Sequence, residues 1–224
     1  MTHPVVIASP LQTIFAASIL LSDLSFYYSH LIPSLFRIAI SITLGALAGF
    51  TLGLAAGFYK PLKWLLEPLR ILLMSLPAVV VAILAMLWFG LGTAMVTFTT
   101  AALIAPFLYL STVNGIEAID RRYMEIASVY RVSRWTVFVD IVLPAISPSL
   151  FPGLSIVVAN GLRLAVLAEV LGVNEGLGYL IATSRTNLET DTLFALILII
   201  LVLVIVLDVT SSYLLKRAGG TRRT

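Results

Sequence analysis

Six stretches of nearly unbroken apolar residues run along the chain, at about Val5–Leu21, Leu31–Phe58, Ile71–Phe89, Ala94–Gly115, Ser147–Leu171 and Leu193–Leu215. A hydrocarbon core of about 30 Å takes roughly 20 apolar residues in a helix. Every backbone N–H and C=O inside it must be paired within the chain, because lipid offers no partner. Runs of this length are therefore expected as membrane-spanning helices, whereas barrel strands show short segments of alternating polarity. Composition agrees, with 60% hydrophobic and 11% charged residues and a mean hydropathy of +1.06. The expected fold is all-α, a polytopic membrane protein of about six transmembrane helices forming a single domain over residues 1–224. Residues 1–30 supply the first span and an outer loop, 31–215 the core, and 216–224 a basic tail.

The first run lacks a basic leader and a clean small-residue cleavage site, and it exceeds the usual signal core, so it is read as a retained span. The second run is long enough to tilt or to begin as an interfacial segment around Arg37, and Pro77 predicts a kink in the third.

Basic residues set the orientation. Lys60, Lys63 and Arg70 follow span two, Arg121, Arg122, Arg131 and Arg134 follow span four, and Lys216, Arg217, Arg222 and Arg223 follow span six. If the spans alternate, these eleven of the fourteen Lys and Arg share one side, which is the cytoplasmic side. Both termini are then cytoplasmic. Gly45, Gly49, Gly53 and Gly57 recur every fourth residue in span two. Such a smooth face lets two helix backbones approach closely, either within one subunit or at a dimer seam.

Several chemistries are excluded. There is no cysteine, and His3 and His30 are the only histidines, so no metal site is expected. No phosphate-binding Gly-Lys-Ser/Thr loop occurs, so no ATP site is expected in this chain. Nothing in the charge pattern implies nucleic acid. An intramembrane enzyme would need a nucleophile with its base, or a metal cluster, and neither is apparent.

Between spans four and five lies a charged segment too polar to span. Ile116, Ile119, Tyr123, Ile126 and Ala127 put an apolar stripe on a first helix over 117–130. Ser133 is placed to cap a second short helix with Trp135, Phe138, Val139 and Val142 on its apolar side, and Pro144 and Pro148 mark the return into the membrane. This helix–turn–helix elbow either docks another protein or rests on lipid headgroups.

The elbow's residues resemble the cytoplasmic loop motif of binding-protein-dependent ABC importer permeases: Glu-Ala-Ala, three residues, Gly, nine residues, Ile, one residue, Leu-Pro. Glu125, Ala127, Ile141, Leu143 and Pro144 match it, while Ile126 replaces the middle Ala and Arg131 the Gly. PLKWLLEPLR (61–70), LWFGLG (87–92) and AEVLGVNEGLGYLI (168–181) are similar to the nitrate, sulfonate and taurine branch of these permeases. The resemblance implies that Glu125, Ile126, Ala127, Arg131, Ser133, Ile141, Leu143 and Pro144 belong to a coupling-helix loop seated in an ATPase subunit. It further implies two ATP-binding cassette subunits holding ATP and Mg, a second permease copy, an external solute-binding protein, and a bacterial or archaeal cytoplasmic membrane. Arg131 in place of Gly implies a strained turn or one wound differently.

Charges within apolar runs are functional candidates, because each is costly in lipid unless it meets water or a partner. Asn160, Arg163 and Glu169 are therefore candidates for the translocation pathway. Arg163 either lines the pathway and attracts an anion, pairs with Asp208, or snorkels to lipid headgroups. Arg163 and Glu169 lie about 9 Å apart along a helix with directions about 120° different, so they are not a direct pair. Glu169 is expected near the outer mouth, solvated or facing a binding protein. The leading expectation is thus an ABC importer permease for a small, anionic solute of the nitrate, sulfonate or taurine kind. The alternative, a self-contained secondary carrier or channel, predicts inverted repeats, which the sequence does not show.

Overall fold

The computed structural model describes residues 8–220. Nine helices organise them: α1 (Pro10–Ser22), α2 (Leu24–Phe58), α3 (Lys60–Ser75), α4 (Ala78–Phe89), α5 (Thr93–Glu117), α6 (Arg121–Val129), α7 (Arg134–Gly172), α8 (Leu177–Thr186) and α9 (Thr190–Gly220). Four of them, α2, α5, α7 and α9, are long and apolar enough to cross a membrane, and α3 with α4 counts as a fifth span if taken together. The first expected span is described only as α1, whose 13 residues fall short of a bilayer. Val5 to Ile7, Arg222 and Arg223 lie outside the described residues, and α9 continues through the expected tail as far as Gly220.

Proline decides three local features. The kink expected at Pro77 is instead a corner: α3 and α4 meet at 109°. Proline crowds the residue before it out of the α region, and Leu76 is extended with ψ 137°. The other two features are wide π-helical turns, over Tyr27–Leu31 and Val137–Val142, each directly before a helical segment with Pro33 or Pro144 at its start. A proline inside a helix has no N–H and pushes away the carbonyl four residues back, and a π turn is one way to absorb that inside a continuous helix. The expectation that Pro144 and Pro148 turn the chain back into the membrane is therefore corrected, since α7 runs without a break from Arg134 to Gly172.

The core forms where α2, α5 and α7 pack together. The glycine stripe works within the subunit: a Cβ at Gly45 would lie 2.5 Å from Ile104 Cγ1, and one at Gly57 would lie 2.5 Å from Ile116 Cδ1. At Gly49 and Gly53 the obstructing atoms include the carbonyl oxygens of Ala105 and Tyr109. With no hydrophobic drive between helices in lipid, this close backbone approach supplies the van der Waals contact that joins α2 to α5. Around it, Ile104, Leu108 and Val157 fill the middle of the bundle. Ile38, Ala82, Met95, Val96, Leu162 and Ala165 fill one end, and Ile116, Val142 and Ile146 the other. Outside this core, α1 packs Ala16 and Ala17 against Ala195 of α9.

Candidate functional site

At one end of the bundle α5 leads into the elbow. Asp120 caps α6 by accepting from the Arg122 N–H at 3.0 Å. The exit from α6 is a Schellman motif: Val132 N–H donates to Ala127 O at 2.9 Å and Arg131 N–H to Ser128 O at 3.2 Å. The motif needs a left-handed residue, and Arg131 supplies it with φ 49°. Of the two conformations open to Arg131, the strained one is therefore adopted, at about 1 kcal/mol. Ser133 caps the next helix as expected, accepting from Thr136 N–H at 3.1 Å, but that helix is the first turn of α7. The elbow is thus one short helix folded back on the start of a long one.

The apolar stripe expected on α6 is split between two faces. Ala127 is buried and Met124 is half-buried against the bundle, whereas Tyr123, Ile126, Val129 and Tyr130 point outward with Trp135 of α7. Val129, Tyr130 and Trp135 are 77%, 78% and 74% exposed, so this corner presents a large uncovered apolar and aromatic surface. Glu125 is exposed on the same helix, and Ile141, Leu143 and Pro144 are half-buried where α7 leaves the elbow.

Beside the elbow, Lys63 of α3 pairs with Glu117 at the end of α5 at 2.5 Å, while Arg70 pairs with Glu67 at 2.5 Å. Arg70 sits about two turns further along α3 than Lys63 and lines a space with Ala105 and Tyr109 of α5. Grouped from the sequence with Lys60 and Lys63 between two spans, Arg70 instead lies deeper along the bundle.

The opposite end holds a buried ionic network. Arg37 of α2 is 3% exposed and Glu169 of α7 fully enclosed; their Nη1 and Oε1 atoms are 2.9 Å apart. Arg37 Nη2 also binds the exposed Glu175 carboxylate at 2.5 Å, Nη1 the Glu175 carbonyl at 3.0 Å, and Nε the Thr93 hydroxyl of α5 at 3.0 Å. The second oxygen of Glu169 accepts from Ser34 Oγ at 2.6 Å and Gly178 N–H at 3.1 Å. Each charge taken out of water therefore has an opposite charge and further hydrogen bonds, the condition under which a buried ion pair persists. The expectation of a solvated or partner-facing Glu169 is corrected, because α7 turns this carboxylate inward onto Arg37.

Arg163 lies on the other side of α7, exposed, and Asn160 is half-buried with its Nδ2 donating to Ile156 O at 3.1 Å. The suggested Arg163–Asp208 pair does not form: both side chains are exposed, and among the described residues neither makes an ion pair. The elbow residues thus come together, while Arg163 and Glu169 face different surroundings.

A profile of the family described as binding-protein-dependent transport system inner membrane components matches residues 41–219. The chain belongs to that family. Among the relatives of this inner membrane component is SsuC of Bacillus subtilis, named for aliphatic sulfonates transport, which is 32% identical over 77% of this chain and 62% of its own length. The taurine transport system permease protein TauC of Escherichia coli is 27% identical over 81% of this chain and 66% of TauC. The formylaminopyrimidine transport permease protein ThiX of Halalkalibacterium halodurans is 28% identical over 91% and 81%. The chain thus spans just under two thirds of the length of SsuC and TauC. Its fold is that of solved ABC transporter chains, an amino acid transporter (TM-score 0.69, 17% identity, 96% of this chain and 99% of that one) and the methionine transporter MetNI (0.61, 13%, 97% and 99%). The component is accordingly a multi-pass membrane protein and a transport component.

Sequence reasoning missed Arg37, Ser34, Thr93 and Glu175 as members of one site. A signal was available in principle: Arg37 and Glu169 are opposite charges stranded in separate apolar runs, each in need of a partner.

Proposed function

We propose that this component is the membrane-spanning subunit of an ABC importer, converting ATP hydrolysis in partner subunits into inward movement of a small anionic solute. The observation that carries the reading is the elbow. The capped helix α6 and the start of α7 present Tyr123, Ile126, Val129, Tyr130 and Trp135 uncovered beside the charges of Glu125 and Arg131. Aromatic side chains with a charged rim have the make-up of a protein-docking surface, and they sit on the segment that matches the coupling motif. The chain offers no phosphate loop of its own, so ATP and Mg belong to two cassette subunits seated against the two elbows of a permease pair.

In this arrangement the elbow lies on the cytoplasmic side, with the termini, and the Arg37 network on the outer side. The cassette subunits approach each other when ATP binds, and α6 carries that motion into α5 and α7. Arg163 and Asn160 face the axis between the two copies, where a guanidinium offers two parallel N–H donors to a sulfonate, nitrate or carboxylate. An external solute-binding protein delivers the solute. The relatives named for sulfonates and taurine support the anionic class.

Reconstitution tests the reading. The chain, combined in proteoliposomes with the cassette ATPase and binding protein encoded beside it, is expected to take up solute only with ATP. A cysteine at position 125 is expected to crosslink to the ATPase. Uptake by the purified chain alone would overturn the proposal in favour of a self-contained carrier.

A further inference from the structure

The segment AEVLGVNEGLGYLI (168–181) is tightly interlocked with the ends of α2 and α7. Gly176 has φ 107°, and a Cβ there would lie 2.8 Å from Ser34 Oγ, 2.9 Å from Arg37 Nη1 and 3.0 Å from Glu169 Oε1. At Gly178 a Cβ would collide with Glu169 Cβ and with the Val166 carbonyl. Leu177 N–H donates to Ser34 Oγ at 2.8 Å, and Gly176 N–H to His30 Nδ1 at 3.2 Å. The turn from Val173 to Gly178 is therefore moulded on a carboxylate and a hydroxyl: at Gly176 the charged cluster fills the space a side chain would need, and at Gly178 the backbone of α7 does.

We propose that Arg37 and Glu169 are positioning residues that weld this turn and α8 to the outer ends of α2, α5 and α7 throughout transport, so that this end of the subunit moves as one body. A turn that opened as a gate would have to part Gly178 N–H from Glu169, Leu177 N–H from Ser34 Oγ, and both the carbonyl and the carboxylate of Glu175 from Arg37. Glu169 is wholly enclosed and Arg37 is 3% exposed, so water is not there to replace those partners. The buried pair would keep its mutual contact but lose the hydrogen bonds that the turn supplies, and a buried polar group left without its partner is costly. Three further contacts reinforce the weld: Thr93 accepts from Arg37 Nε, Gly92 N–H donates to Gly172 O at 2.8 Å, and His30 stacks on Tyr179 with ring centroids 6.2 Å apart. The part of the cluster that meets solvent is the Glu175 side chain, 56% exposed.

In its transport arm this inference rests on the importer reading, and one pair of substitutions separates the two. The chain has no cysteine, so His30→Cys with Tyr179→Cys can be bridged by a short, reducible bis-thiosulfonate reagent. In the purified chain alone, in nanodiscs, bridging is expected to reach completion, and adding Glu169→Gln is expected to slow it about tenfold as the turn loosens. Equal rates would overturn the weld whether or not the chain is an importer subunit. In the assembled transporter, the bridged pair is expected to sustain ATP-driven uptake within about twofold of the unbridged pair. Glu169→Gln added to the unbridged cysteine pair is expected to lower uptake about tenfold and to recover most of it once bridged, a rescue that a mere loss of folding would not show. If bridging blocks uptake and a reductant restores it, the turn is a gate and the proposal fails. If the unsubstituted chain in the same assembly shows no ATP-driven uptake at all, the importer reading fails while the nanodisc rates still decide the weld.

Discussion

Gly49 lies against the carbonyl of Ala105 so closely that no side chain, not even a methyl group, fits between them. The two helices α2 and α5 are joined at this point by backbone touching backbone. Obstruction by a carbonyl cannot be relieved by a rotamer change, so the helices must separate.

Gly49→Ala is accordingly expected to destabilise the folded chain by about 1–3 kcal/mol, the usual range for overpacking. Ala48→Leu, one residue away on the exposed face, is expected to be neutral. Thermal melting of the two variants in detergent, followed by tryptophan fluorescence, checks this. A neutral Gly49→Ala would mean that α2 and α5 are not packed as described.

Arg131 occupies a left-handed position that glycine fills without strain. Arg131→Gly is expected to stabilise the Schellman turn by up to about 1 kcal/mol, partly offset by the greater freedom of an unfolded glycine. Hydrogen exchange at the Val132 amide, whose partner is Ala127 O, is expected to slow or stay unchanged, and uptake to be retained. Faster exchange would show that the arginine side chain, not the backbone, holds the turn.

The two faces of α6 are expected to fail differently. Glu125 is exposed, so Glu125→Lys should leave the chain folded and separate ATP hydrolysis from uptake in the assembled transporter. Ala127 is 6% exposed, and Ala127→Asp places a carboxylate among Met124, Val137, Phe138 and Val142, expected to loosen the elbow itself and lower yield of the complex. Measured ATPase and uptake, with complex yield by size exclusion, distinguish these outcomes. Identical behaviour of the two would contradict the burial of Ala127.

Arg163 is exposed and makes no ion pair among the described residues, so its removal should not cost stability. Arg163→Ala is expected to leave the melting temperature unchanged and to raise the solute KM for uptake about tenfold or more. Arg163→Lys should restore part of this, as a point charge without the planar fork. A lowered melting temperature with unchanged KM would make Arg163 structural.

Much of the architecture was legible in the sequence because lipid imposes it locally. The apolar runs marked α2, α5, α7 and α9, the four-residue glycine spacing marked the contact face of α2, and the elbow announced itself by its charges. What the sequence hid depends on partners far along the chain. Lys60, Lys63 and Arg70 read as the basic stretch between two spans but sit on the helix α3, where Lys63 pairs with Glu117 of α5 and Arg70 with Glu67 one turn away. Pro144 read as a boundary, yet the π turn before it lets the helix continue. Glu169 read as an outer-mouth carboxylate, and only the fold shows that it faces Arg37, 132 positions earlier.

The unbroken course of α7 has a mechanical meaning. Its 39 residues make one continuous helix about 58 Å along its course, rooted at one end in the corner proposed to meet the ATPase and fixed at the other to the sealed charge cluster. A tilt of only about 5° swings one tip by about 5 Å relative to the other. A hinge in mid-helix would let that motion dissipate, whereas an uninterrupted shaft delivers a nudge at one surface of the bilayer as a displacement at the opposite one.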